Sequence, residues 1–257
     1  MPMPTNSRVG FLDVEFDAVT MDGALARLAA FALEDGFHYV VTPNVDHIVR
    51  LDAADAQARA LGEAYRHASL CLCDSRVLSR LARFCGIGLP VVAGSDLTAE
   101  LFRNVIRPGD RIGIVGGDAL LVGGLAGRFP GVELVQHQPP MGLSSNAAAL
   151  DEAAAFVAKQ RARFTFLAVG SPQQEMIASR VELIPGASGT ALCIGASLQF
   201  LVGQERRAPR LVRGFGFEWA FRLLVQPRKM WRRYLVEGPR IFAIAWRWRR
   251  QSQLRPL

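Results

Sequence analysis

The sequence predicts an α/β protein, a mostly parallel sheet with helices on both faces, followed by a basic helical C-terminal appendage. Three observations carry that reading. Short apolar runs alternate with amphipathic segments from the N-terminus to about residue 200. The runs are almost continuously apolar, the pattern of strands covered on both faces. The charge is also divided: overall it is +7, but residues 206–257 hold fourteen Arg and Lys against only Glu218 and Glu237, a net of +12, which leaves −5 for the rest. All four Trp (Trp219, Trp231, Trp246, Trp248) lie in that basic stretch. The chain therefore divides into an α/β domain over 1–204 and an appendage over 205–257.

The strand candidates are Tyr39–Thr42, Leu70–Cys73, Arg111–Val115, Val132–Val135, Phe164–Val169 and Ala191–Ile194. Asp22 can cap a first helix whose Leu25, Leu28, Ala29, Ala32 and Leu33 share a face. Helical periodicity then runs over Val45–His67, Ser75–Phe84, Leu97–Ile106, Ala119–Phe129, Ala147–Arg161 and Gln173–Leu183. Strand–helix alternation of this kind is Rossmann-like. Cys71, Cys73, Cys85 and Cys193 show no paired C-x-x-C spacing and no accompanying set of histidines at zinc-ligand intervals, so neither a disulfide framework nor a zinc site is expected. The N-terminus has no charged segment leading into an apolar run, and no stretch reaches about 18 uninterrupted apolar residues; a cytoplasmic protein, soluble or peripheral on a membrane, is expected.

Ligands of parallel sheets sit at the carboxyl ends of strands, so the loops that follow strands matter most. Five put Gly or small polar residues there: Thr42-Pro43-Asn44, Asp74-Ser75, Gly116-Gly117-Asp118, Gly170 to Glu175, and Gly195-Ala196-Ser197. Gly116-Gly117, leading into a helix, could bring backbone N–H groups to a phosphate or simply make a tight turn. Asp74 could be a general base or a helix cap; Thr42 and Asn44 could bind a sugar or shape a turn. His47 reads as a packed or surface histidine. A nucleotide-dependent oxidoreductase would need G-x-G-x-x-G after the first strand, and none is there.

Taken together, Thr42-Pro43-Asn44-Val45-Asp46-His47, the Asp74 turn, Val92-Ala93-Gly94-Ser95-Asp96-Leu97, Ile114-Val115-Gly116-Gly117, Pro139-Pro140-Met141-Gly142, Val169 to Glu175, Gly203 with Arg207-Ala208-Pro209, and Glu218 to Leu223 on to Arg233-Tyr234 have a shared order and spacing. Over about residues 10–245 they resemble the WecG/TagA/CpsF family of bacterial glycosyltransferases. The resemblance implies inverting, metal-independent transfer of a sugar from a nucleotide donor, usually UDP-linked, to a polyprenyl-diphosphate-linked saccharide at the inner membrane face, with no cofactor. It implies Asp74 as the catalytic base. Thr42, Asn44, Asp96, Gln174 and Glu175 would bind substrate, and Gly116, Gly117, Gly170, Arg207, Arg222 and Arg228 the nucleotide diphosphate. The absence of any D-x-D sequence fits a metal-free site. Ser75, Val91 and Gln199 depart from the family pattern.

In the appendage, Pro227 and Pro239 separate short helical pieces. In the middle piece Arg228, Lys229, Arg232 and Arg233 gather on one side, and Met230, Trp231, Tyr234 and Leu235 on the other. A basic amphipathic helix with interfacial aromatics suits an anionic membrane surface. Two competing readings are aromatics packed on the body and a single-stranded nucleic acid partner; the prolines and apolar face favour the membrane over nucleic acid. The alternative function is a non-catalytic α/β protein that binds nucleotide or nucleic acid and carries a basic tail.

Overall fold

The computed structural model describes residues 8–205, 208, 209, 212 and 218–253. The expected sheet is present. Strands β3 (Phe37–Val41), β4 (Leu70–Cys71), β5 (Arg111–Gly116), β6 (Glu133–His137), β7 (Phe164–Ala168) and β8 (Gly189–Cys193) form six parallel strands in the order β4-β3-β8-β7-β5-β6. Alternate residues enter opposite cores. Tyr39, Val41, Val115, Leu167 and Cys193 face one core, and Val40, Ile112, Ile114, Phe166 and Leu192 the other. The first core is covered by α2 (Val45–Leu51), α3 (Ala56–His67), α7 (Ala147–Gln160) and α8 (Gln173–Glu182), the second by α1 (Met21–Phe31), α5 (Gly94–Asn104), α6 (Ala119–Arg128) and α9 (Ser197–Val202). Helix α4 (Arg76–Phe84) adds Leu78 and Ala82 to the first.

Several local expectations are corrected. Ahead of the sheet stands an unexpected antiparallel hairpin, β1 (Arg8–Phe11) and β2 (Val14–Asp17), turned by Leu12 and Asp13 at φ 53° and 60°. Helix α1 is capped by the Thr20 hydroxyl, which accepts the Gly23 N–H, and Asp22 sits in its first turn. The expected Val45–His67 helix breaks at Ala54, φ 57°, and restarts after Asp55, whose carboxylate accepts the Ala58 N–H. The hairpin is tied to the sheet by buried Asp17, which pairs with Arg27 at 3.0 Å and accepts the Cys71 N–H at 2.9 Å. Such a pair is costly to break from one side.

At Gly189 the left-handed φ of 97° begins β8, and an added Cβ would fall on the Ala162 carbonyl oxygen. Backbone cannot yield as a flexible side chain does. Gly189→Ala should therefore destabilise the fold by about 2–4 kcal/mol, read as a lowered denaturation midpoint with unchanged m-value.

The basic C-terminal stretch is helical in α10 (Glu218–Val225), α11 (Pro227–Trp231), a π-helical turn (Arg232–Glu237) and α12 (Arg240–Gln253). It is less separate than its composition suggests. Ile241, Ile244 and Ala245 join the first core, and Trp248 packs edge-on against Phe11 with centroids 5.2 Å apart. Arg240 and Arg247 pair with Asp52 just past α2. Among the described residues no helix is long and apolar enough to cross a membrane.

Candidate functional site

The sheet order decides where a ligand can sit. β4, β3, β8 and β7 are consecutive neighbours in the sheet, so the loops after them lie side by side at the carboxyl ends, where parallel sheets place ligands. A cleft of about 350 Å³ lies there. Its walls include Thr42 and Asn44 after β3, Asp74 after β4, Gly170 after β7 and Ser197 after β8. The basic stretch closes the other side with Phe221, Arg222, Val225 and Gln226 of α10–α11, then Met230 and Arg233.

Each wall is fixed locally. The Thr42 hydroxyl donates to the Cys193 carbonyl at 3.0 Å, joining the ends of β3 and β8. Asn44 caps α2: its side-chain oxygen accepts the Asp46 N–H, and its own N–H donates to His47 Nδ1 at 3.0 Å. This reciprocal cap explains His47, which is 8 % exposed and lines the cleft. Burial lowers its pKa to about 3, so the ring is neutral with its proton on Nε2. The cap signature, Asn followed by a hydrogen-bonding side chain three residues on, was visible in the sequence.

Asp74 is half-buried on the cleft wall, and its N–H donates to the Pro43 carbonyl at 3.0 Å. The cap of α4 is the next residue: the Ser75 hydroxyl accepts the Leu78 N–H. The helix-cap role for Asp74 is thereby taken by its neighbour, and the departure at Ser75 acquires a structural purpose.

Gln174 also lines the cleft and is 3 % exposed. Its amide N donates to Glu175 Oε1 and its amide O accepts the Gly195 N–H, both at 2.9 Å. Glu175, expected as a substrate ligand, is 1 % exposed and does not line the cleft. Burial pushes its pKa up to about 7, against the lowering effect of the Gln174 amide.

Of the remaining expected ligands, Gly170 and Arg222 reach the cleft and Asp96 and Arg228 do not line it. Gly116 and Gly117 also lie outside it. Their carbonyls accept the side-chain amides of Gln136 and Gln138, and the start of α6 is occupied by the Asp118 carboxylate, which accepts the Leu121 N–H. A phosphate at the start of α6 would have to displace that charge. Arg207 lies outside the described residues.

The tail helix also differs from its helical-wheel expectation. Met230 is buried and Arg233 turns inward, its guanidinium 3.4 Å from Asn44 Oδ1 and 3.6 Å from Asp46, while Trp231 and Leu235 stay more than half exposed. The helix passes into a π-helical turn at Arg232, so a constant 100° step does not hold across it. The sequence assigns no site role to Asp46 and Arg50, an i,i+4 pair on α2, or to Arg233, which only the fold of the tail over α2 brings to them. Among the described residues no group of three or more His, Cys, Asp or Glu could hold a metal ion.

A half-buried carboxylate, strand-end hydroxyl and amide groups and tail arginines around one open cleft suit an anionic, hydroxyl-rich substrate. The family model described as the glycosyl transferase WecG/TagA/CpsF family matches residues 9–255, nearly the whole chain, and the protein belongs to that family.

Proposed function

We propose that this glycosyltransferase moves a sugar from a UDP-linked donor to a polyprenyl-diphosphate-linked saccharide during assembly of a cell-surface polysaccharide, with inversion and without a metal. The observation that carries the reading is that Asp74, Arg222 and Arg233 line one cleft. In the reaction, the Asp74 carboxylate takes the proton of the acceptor hydroxyl as its oxygen attacks the anomeric carbon, and the bond to the nucleotide diphosphate breaks on the opposite face. Arg222 balances charge on the departing diphosphate. Thr42, Asn44 and Gln174 orient sugar hydroxyls.

The experiment is a panel of nucleotide sugars with a short-chain polyprenyl-diphosphate sugar as acceptor and nucleotide release as readout. A UDP-sugar should be turned over, and excess EDTA should leave the rate essentially unchanged. Turnover restored only by Mn²⁺ or Mg²⁺ would sink the metal-free mechanism; no acceptor-dependent release from any donor would sink the transferase reading.

Acceptors of this class are membrane-bound, and the tail supplies a fitting surface. Leu224, Trp231, Leu235, Val236, Phe242 and Trp246 are 51–81 % exposed alongside exposed Arg228 and Arg232. We place the protein peripherally on the inner membrane face by this surface. Reversing Arg228 and Arg232 to Glu should weaken sedimentation with anionic vesicles severalfold, most at low salt, because the attraction is screened over about 8–10 Å. Unchanged vesicle binding would remove the tail as the anchor, and a parallel loss of activity on a soluble acceptor would return Arg228 to the diphosphate site.

A further inference from the structure

Transfer as described above leaves one buried group unused. Glu175 Oε1 accepts the Gln174 amide at 2.9 Å and lies 3.9 Å from His47 Nε2, whereas Oε2 has no hydrogen-bond partner among the described residues. The hydroxyl of buried Tyr65 likewise has none, and Glu175 is the charge that most disfavours its ionisation after burial itself. Arg50 and His47 of α2, Tyr65 of α3 and Cys193 of β8 are the titratable groups set around this carboxyl, with Asp46 and Arg233 beyond His47. Buried polar atoms left without partners call for an explanation.

The partnered oxygen of Glu175 is the one whose use is visible. Glu175 Oε1 is an acceptor and the Gly195 N–H is a donor, and the two grip opposite ends of the same carboxamide. A flipped amide would set oxygen against oxygen and N–H against N–H, so only one orientation survives. One N–H and one lone pair of that amide remain for whatever enters the cleft that Gln174 lines.

We propose that Glu175 is a positioning residue for sugar transfer, acting through Gln174: it fixes the carboxamide so that the spare N–H and lone pair engage a hydroxyl of the donor sugar. This rests on the transferase reading above. The contact is to the sugar and not to the nucleotide, so its loss separates donor turnover from UDP affinity. Glutamine at 175 can still offer an oxygen to Gln174, whereas methionine cannot. The charge of Glu175 supplies a second signature. It ionises as pH rises through about 7, placing a negative charge beneath a cleft that receives an anionic diphosphate, so KM for the donor rises above neutrality.

The test is steady-state kinetics with the UDP-sugar turned over in the panel, UDP affinity by calorimetry, and circular dichroism as a check on folding. Compared at pH 6, where Glu175 is mostly protonated, Glu175→Met should lower kcat/KM by about 10–10²-fold while the Kd for UDP changes less than about threefold, and Glu175→Gln should recover most of the loss. Gln174→Met should lose as much, with no further loss when both are replaced. The rise of KM between pH 6 and pH 8 should flatten in Glu175→Gln, a change that a purely structural role would not produce. Gln174→Met with unchanged kcat/KM, additive losses in the double variant, or a pH dependence untouched by Glu175→Gln would each overturn the role. The Gln174→Met and Glu175→Gln arms decide it even if Glu175→Met does not fold. A wild type that turns over no UDP-sugar would overturn the transferase reading itself, and this role with it.

Discussion

Asp74→Asn should lower the rate of transfer by about 10²–10⁴-fold while leaving the fold and UDP affinity intact. The size follows from the role: a positioned general base removes the proton of the attacking hydroxyl in the transition state, and an amide of nearly the same shape cannot. The α4 cap and the loop's backbone bond survive the change, because Ser75 and not Asp74 caps α4, and the Asp74 N–H bond to Pro43 does not depend on the side chain. The kinetic signature is a fall in kcat at nearly constant Kd for UDP. Unchanged turnover would leave the transferase without a base among the residues named. A loss of stability equal to that of a missing helix cap, about 1 kcal/mol, would show that Asp74 holds the loop instead.

The second large effect concerns the basic tail. Arg222→Ala should lower kcat by roughly 10²–10³-fold, the range seen when one preorganised group that stabilises transition-state charge is removed. Arg222 lies on α10, where its guanidinium sits 5.0 Å from the centroid of Phe200 on α9 and lines the cleft. Stacking on that ring helps to orient the guanidinium. Arg222→Lys should recover only part of the rate, since an ammonium keeps the charge but loses the planar fork and much of the stacking. A point substitution tests the tail better than truncation. Removing α12 would strip Ile241, Ile244, Ala245 and Trp248 from the first core and confuse unfolding with loss of catalysis.

Much of this architecture was written in local patterns. Strands β3, β5, β7 and β8 are buried on both faces, so apolar residues are continuous there and their positions could be read directly. The features that escaped depend on backbone conformations that residue type does not announce. Leu12, Asp13 and Ala54 adopt positive φ without being glycine, so neither the hairpin turn nor the break between α2 and α3 carries the usual marker. Thr42, Asn44, Asp74 and Gln174 were legible because they follow strands, and strand ends are where parallel sheets place their ligands. Glu175 lies off the cleft lining for a different reason. Consecutive residues on a helix point about 100° apart, so Gln174 enters the cleft and its neighbour goes beneath it. The division of the chain by charge and tryptophan content located the tail. It did not reveal that the tail forms a wall of the cleft and contributes to the core, since both depend on contacts far apart in sequence.

The central claim is that the cleft between the strand ends and the tail is where the donor binds and reacts. A crystal structure of the protein with UDP tests it most directly. The account predicts the diphosphate beside Arg222, with the nucleotide in the space bounded by Thr42, Asn44, Asp74 and Gln174. UDP bound at the Gly116-Gly117 turn, outside this cleft and with the Asp118 carboxylate displaced from the start of α6, would contradict it.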